Sequence, residues 1–177
     1  YRFRTIYWEA KLIAIISDIH DNIPNLTKAL DYCALNKIEK IICCGDLASL
    51  ETLDFLNDNF QGEIFYTFGN MDDAYLRNYR PLQNYKITKI YKALGEVEIE
   101  GKNIAFVHFP KEAKTLCESG KYNFVFYGHT HKPFEEIINS CKMLNPGNVA
   151  NQFYPPTFAV WETRDNKFSL VRINELK

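Results

Sequence analysis

The sequence of 177 residues has no apolar run longer than Leu12–Ile16. Spanning a bilayer takes about 18 consecutive apolar residues, so no membrane helix is expected. Tyr1 to Lys11 mixes aromatic, basic and acidic residues and has no apolar core of a secretory signal. Charge of one sign is also missing. Lys plus Arg is 21 and Asp plus Glu is 22, a formal charge of -1. A nucleic-acid binder that works by bulk charge is therefore not expected. No repeat, low-complexity segment or Gly/Ser/Pro linker divides the chain. The five cysteines, Cys33, Cys43, Cys44, Cys117 and Cys141, are odd in number and show no C-x-x-C spacing. They read as reduced thiols of a cytoplasmic core.

What is present is an ordinary globular balance: 46% apolar and 24% charged residues. A chain of this length buries roughly 70% of its unfolded surface and needs no staples. We read residues 1–177 as a single domain, with 1–10 as an N-terminal extension. Leu12–Ile16, Ile41–Cys44 and Ile64–Phe68 are apolar without alternation, as in strands buried on both faces. Helical spacing separates them, first after Pro24 through Leu26, Leu30 and Cys33, then through Leu53, Leu56 and Phe60. Such a β-α-β-α-β series predicts a parallel sheet with right-handed crossovers.

The second half changes character. Glu96 to Glu100 alternates polar with apolar residues, and Gly101-Lys102-Asn103 turns it into Ile104–Val107, a hairpin pattern. A short helix over Lys111–Glu118 and strands over Phe124–Tyr127, Phe134–Ile138, Thr157–Trp161 and Phe168–Ile173 follow. The fold class expected is α/β, with two sheets packed face to face and helices outside.

Histidine is scarce, and its placement is informative. His20, His108, His129 and His131 are the only four, and each lies at or just beyond the end of an expected strand. Asp18, Asp46 and Asn70 do the same. In open α/β sheets, ligands bind outside the carboxyl ends of the strands. Singly these residues are ordinary turns and caps. Gly128-His129-Thr130-His131 says more, because alternate residues of an extended segment face one side and two imidazoles there make a metal edge.

In this order, Asp18-x-His20, Gly45-Asp46, Gly69-Asn70, His108 and Gly128-His129-x-His131 resemble the signature of the calcineurin-like metallophosphoesterases. The resemblance runs from about Ile13 to Asn148, is nearest the small prokaryotic phosphodiesterase branch, and includes Asn145-Pro146-Gly147, similar to a loop that closes the site there. It implies an αββα sandwich, two mixed sheets between outer helices. It also implies two divalent cations, manganese first, with nickel, iron or zinc as alternatives. Asp18, His20, Asp46 and His131 would hold the first. Asp46 would bridge to the second, completed by Asn70, His108 and His129. The oxygen and nitrogen donors suit such metals, and acid should weaken their hold by protonating the imidazoles. Asp46, Asn70 and His108 are the residues expected closest to catalysis. A hydroxide held by both cations would attack phosphorus of a small or nucleotide-like phosphodiester in line with the leaving oxygen.

The chain departs from the pattern in three places. Met71 stands where many members have a His that assists the leaving group, and Met neither donates a proton nor carries charge. Activated diesters should therefore turn over better than poor leaving groups. Asp72 or Asp73 is read as a carboxylate at a helix start. Phe109-Pro110 replaces a Gly-His pair, which makes that wall bulkier and less polar. Asn148 occupies a position where Ser is common. The alternative function is a catalytically weak protein-binding scaffold of the same fold, as in the retromer subunit that also lacks the His. No membrane partner is expected, and a homo-oligomer is left open.

Overall fold

The structure is a computed structural model and describes residues 10–78 and 85–177. The extension read over residues 1–10 lies almost wholly outside the described residues. Two sheets form the centre. The strands of the first are β1 (Leu12–Ile16), β2 (Lys40–Cys43), β3 (Glu63–Thr67), β4 (Thr88–Tyr91), β10 (Thr157–Glu162) and β11 (Lys167–Arg172), in the order β11-β10-β1-β2-β3-β4. Strands β1 to β4 run parallel, and β10 and β11 are antiparallel additions on the β1 side. The second sheet has the order β5-β6-β7-β9-β8, from β5 (Gly95–Ile99), β6 (Lys102–Phe106), β7 (Phe124–Phe126), β8 (Phe134–Ile138) and β9 (Cys141–Asn145). Here β6, β7 and β9 are parallel, with antiparallel edges.

The period of two along each strand builds the layers. Ile13 and Ile15 point between the sheets, where they meet Phe106, Phe124, Phe126 and Trp161. Ala14 and Ile16 point outward, toward Leu26, Leu30 and Leu53 of the helices α1 (Ile23–Leu35) and α2 (Leu50–Asn59). On the far side, Val125 and Met143 pack against Ala113 and Cys117 of the helix after β6. Each buried Ile, Leu, Val, Met or Phe among them contributes about 1.5–3 kcal/mol. The result is the expected αββα sandwich.

Local chemistry starts the helices where expected. Asn22 Oδ1 accepts the Asn25 N–H at 3.1 Å, with Pro24 in the first turn of α1. Ser49 Oγ caps α2 through the Thr52 N–H. Asp73 caps the short helix α3 (Ala74–Asn78) through the Leu76 N–H. The helix α4 (Pro110–Glu118) begins at Pro110.

One expectation is corrected. Cys117 of α4 and Cys141 of β9 are joined as a disulfide, with Cα atoms 5.4 Å apart, while Cys33, Cys43 and Cys44 are buried thiols. The pair is 24 residues apart in sequence and is brought together by α4 lying on the outer face of the second sheet. No short-range spacing signals such a contact.

Candidate metal centre

All seven singled-out side chains come from loops at the carboxyl ends of parallel strands. Asp18 and His20 follow β1, Asp46 follows β2 and Asn70 follows β3, all from the first sheet. His108 follows β6, and His129 and His131 follow β7, from the second. The loops are laced together by their backbones. The Asp18 N–H donates to the Gly45 carbonyl at 3.0 Å, and the N–H groups of Ile19 and His20 both donate to the Asp46 carbonyl. Across the sheets, the His129 N–H donates to the Asp18 carboxylate at 3.0 Å, and within the second sheet the Gly128 N–H donates to the His108 carbonyl.

Five of the seven residues sit in left-handed backbone: Asp18 at φ +55°, His20 at +46°, Asp46 at +58°, His129 at +71° and His131 at +59°. Asp and His tolerate this region better than most residues, but each instance still costs on the order of 1–3 kcal/mol. Two glycines are required by space. A Cβ on Gly45, at φ +101°, would stand 2.7 Å from His108 Nδ1, and one on Gly128 would stand 2.7 Å from Asp18 Oδ2.

The ligating atoms converge. His131 Nε2 lies 3.3 Å from Asp18 Oδ1 and 3.3 Å from His20 Nε2. His108 Nε2 lies 3.2 Å from Asp46 Oδ2 and 3.0 Å from Asn70 Oδ1. His129 Nδ1 lies 2.9 Å from the same Asn70 oxygen. Asp46 Oδ2 also lies 3.7 Å from His20 Nε2, so it faces both halves of the cluster. Asp18, His20 and His131 form one group with atoms within 4.8 Å, and Asp18, Asp46 and His108 form another. Backbone carbonyls orient two rings. His108 Nδ1 faces the Cys44 carbonyl at 2.8 Å, and His131 Nδ1 faces the Gln152 carbonyl at 3.3 Å. Each arrangement commits Nδ1 to donation and leaves the Nε2 lone pair for the centre.

The electrostatics call for cations. Asp18 and Asp46 are buried, at 0% and 2% exposure. Among the described residues, their ion-pair partners are histidines only, with no Lys or Arg. Burial alone would push the Asp46 carboxyl up, but the His108 ring and the Met71 N–H outweigh it and hold it below the usual range. Burial would likewise lower His108, yet Asp46 raises it, and His131 is raised chiefly by Asp18. These lone pairs and carboxylates attract positive charge, and a divalent ion satisfies several at once. The donor set thus fits hard or borderline divalent metals.

Asp72 and Asn148 organise the centre in ways the sequence did not reveal. Asp72 does not cap a helix; Asp73 does that. The Asp72 carboxylate instead accepts the N–H groups of Asp46, Ala48 and Gly69. Burial raises its own pKa even so. Asn148 donates to the carbonyls of His131 and Tyr154 and accepts the Gln152 N–H. A serine hydroxyl has one proton and cannot make both donations. Asn145 donates to the Gly128 carbonyl and accepts the Gly147 N–H, which shapes the Pro146-Gly147 loop. Only position within a short turn marked Asp72, and nothing local marked Phe153, whose ring stands 5.3 Å from that of His131.

Known proteins resemble this chain in sequence and fold. A phosphodiesterase of Methanocaldococcus jannaschii is 28% identical over 159 residues, covering 88% of this chain and 95% of that protein. The solved structure of an archaeal phosphodiesterase superposes with a TM-score of 0.81 at 28% identity, covering 91% of this chain and 99% of the other. Vacuolar protein sorting 29 of Cryptosporidium parvum shares the fold, with a TM-score of 0.67 at 22% identity over 92% of this chain and 96% of its own. The family model of the calcineurin-like phosphoesterase superfamily domain matches residues 12–166. With that match covering the second sheet, all of the first but β11, and every loop of the cluster, the chain belongs to the calcineurin-like phosphoesterase superfamily.

Proposed function

We propose that residues 1–177 act as one metallophosphoesterase domain and that the chain is a metal-dependent phosphodiesterase. In this reading Asp18, His20, Asp46 and His131 hold one divalent cation, and Asp46, Asn70, His108 and His129 hold a second. The observation that carries it is the pair of buried carboxylates, Asp18 and Asp46, facing imidazole nitrogens with no Lys or Arg among the described residues to neutralise them. Similarity to the archaeal phosphodiesterases supports the diester substrate. Manganese is the metal we favour, with nickel, iron and zinc compatible with the same donors.

Bound there, the cations supply Lewis-acid polarisation of the phosphoryl oxygens and a water nucleophile usable at neutral pH. The chain supplies the frame. Asp46 presents an oxygen to both halves of the cluster, and its other oxygen is tied to the Met71 N–H at 2.7 Å. His108 is fixed by the Cys44 carbonyl, so its Nε2 and Asn70 Oδ1 keep one relative position beside the reacting group. Asp46, Asn70 and His108 are accordingly the residues assigned to catalysis. Met71 is 55% exposed and offers no proton, so the leaving group departs without help from this position. That favours small diesters with good leaving groups. Placement in the cytoplasm belongs to the proposal; the buried thiols Cys33, Cys43 and Cys44 are compatible with it, and the Cys117–Cys141 disulfide weighs against it.

The second reading, a catalytically weak protein-binding scaffold, is favoured by Met71 alone. The two are separated by hydrolysis of bis-p-nitrophenyl phosphate and p-nitrophenyl phosphate by metal-stripped protein with Mn, Ni, Mg or Zn restored. Metal-dependent diester cleavage that disappears in Asp46→Ala establishes the enzyme. Two bound ions with no turnover establish the scaffold.

A further inference from the structure

Two exposed phenyl rings flank the candidate centre, one at each half. Phe109 is 36% exposed and meets His108 with ring centroids 5.0 Å apart and His129 at 4.8 Å, both tilted edge to face. Phe153 is 90% exposed and meets His131 at 5.3 Å, also tilted.

Neither ring is placed there by the hydrophobic core. Phe153 buries almost nothing, so its apolar surface contributes little to folding. Its backbone is left-handed at φ +62°, as is that of Asn151 at φ +62°. For a bulky side chain this region is a true outlier, and such strain gathers where a ligand is handled. The loop is held against that strain by Asn148, whose side chain binds the Gln152 N–H at 3.0 Å and the Tyr154 carbonyl at 3.1 Å. Phe109 is fixed differently. It precedes Pro110 and is confined to extended backbone, at φ −94° and ψ 140°. Each ring therefore stands beside imidazoles of one half of the cluster.

We infer that Phe109 and Phe153 are specificity residues that receive a planar aromatic group carried by the phosphoester, as in an aryl or nucleoside ester. The inference rests on the proposal that phosphate binds at the metal centre. An aromatic ring stacked on phenyl gains contact that a methyl ester cannot supply. Asn148 is a positioning residue for the Phe153 loop.

The test uses ligands that cannot be hydrolysed. Phenylphosphonate and methylphosphonate are titrated calorimetrically into the manganese-loaded protein, with metal content measured for every variant. The wild-type protein should bind phenylphosphonate roughly tenfold more tightly. Phe153→Ala, Phe109→Leu or both should bring that ratio toward one at full metal occupancy. Phe153→Ala removes no buried surface, and Phe109→Leu keeps the apolar bulk, so a folding defect does not mimic the result. Asn148→Ser should act in the same direction as Phe153→Ala. A wild-type ratio near one, a ratio unmoved by both Phe variants, or no binding of either ligand overturns the inference. A protein that shows the ratio but hydrolyses no ester keeps the inference and sinks the hydrolytic reading. Hydrolysis of bis-p-nitrophenyl phosphate with a ratio near one does the reverse.

Discussion

The Asp72 carboxylate accepts the Gly69 backbone N–H at 2.6 Å, and the same oxygen takes the Asp46 N–H at 3.1 Å. With the Ala48 N–H on its other oxygen, one side chain ties the loops after β2 and β3 together. Asp72→Asn keeps the shape but turns an NH2 group toward one of these donors. We expect a loss of about 1–3 kcal/mol in stability from the unsatisfied pair. Metal affinity should fall roughly 10- to 100-fold, the usual effect of losing a residue that orients ligands. Thermal unfolding of the metal-free protein and a competitive chelator titration measure the two separately. Unchanged chelator competition would show that the loops hold their form without Asp72.

Met71 gives a kinetic prediction. Placing an imidazole there by Met71→His should raise rates on diesters with poor leaving groups and leave those with good ones nearly unchanged. A full general acid is worth about 10²- to 10⁴-fold, and a newly introduced one should recover the lower part of that range at most. The readout is the slope of log rate against leaving-group pKa, which should become shallower. Parallel lines for the two proteins would count against the assignment.

The cysteine arrangement is checked by counting. Denatured but unreduced protein should yield three reactive thiols, from Cys33, Cys43 and Cys44, and reduction should raise the count to five. Cross-linking residues 24 apart restrains the unfolded chain, and Cys117→Ser with Cys141→Ser should cost about 3 kcal/mol in a denaturant titration. Five thiols before reduction would remove the disulfide.

Acid sensitivity has one legible surface source. Glu63 is paired with Lys40 and Lys89, and these two hold its carboxyl below its ordinary value of 4.5. A carboxyl lowered on folding contributes its stability in full above the unfolded value and loses it as pH falls through the folded one. Both partners are partly exposed, so the whole contribution is at most about 1 kcal/mol and weakens with salt. Glu63→Gln should therefore be less stable than wild type at pH 6 and indistinguishable well below pH 4.5. A difference that persists unchanged into acid would refute the pairing as its cause.

The parts of the fold visible in sequence are those where side-chain pattern and local geometry agree. Ile13 to Ile16 and Ile41 to Cys43 show a strand buried on both faces because both faces do meet apolar layers. Pro24 and Asn22 mark a helix start through chemistry confined to a few residues. The loops after the strands were equally visible, because Asp, Asn and His beside Gly are unusual at so many strand ends. Strand β9 was not seen. Its five residues, Cys141 to Asn145, include a lysine and follow a turn, and the strand exists because β7 and β8 pair with it on either side. The roles of Asp72 and Asn148 were hidden for a related reason. Their partners are backbone groups, and backbone groups leave no trace in a sequence.

The cluster joins distant parts of the chain, and this sets an order on its assembly. Asp18 is locked by the His129 N–H, 111 residues away, and its carbonyl accepts from Val149 and Ala150 farther on. A nascent chain that has exposed only β1 to β3 therefore carries two carboxylates and one imidazole of the set, unanchored by their later partners. The observed arrangement of the cluster exists only once the second sheet has formed and docked. On the proposed ligand assignment, binding by the full set of donors therefore waits for the second sheet, and a half-made chain offers an ion only three of them.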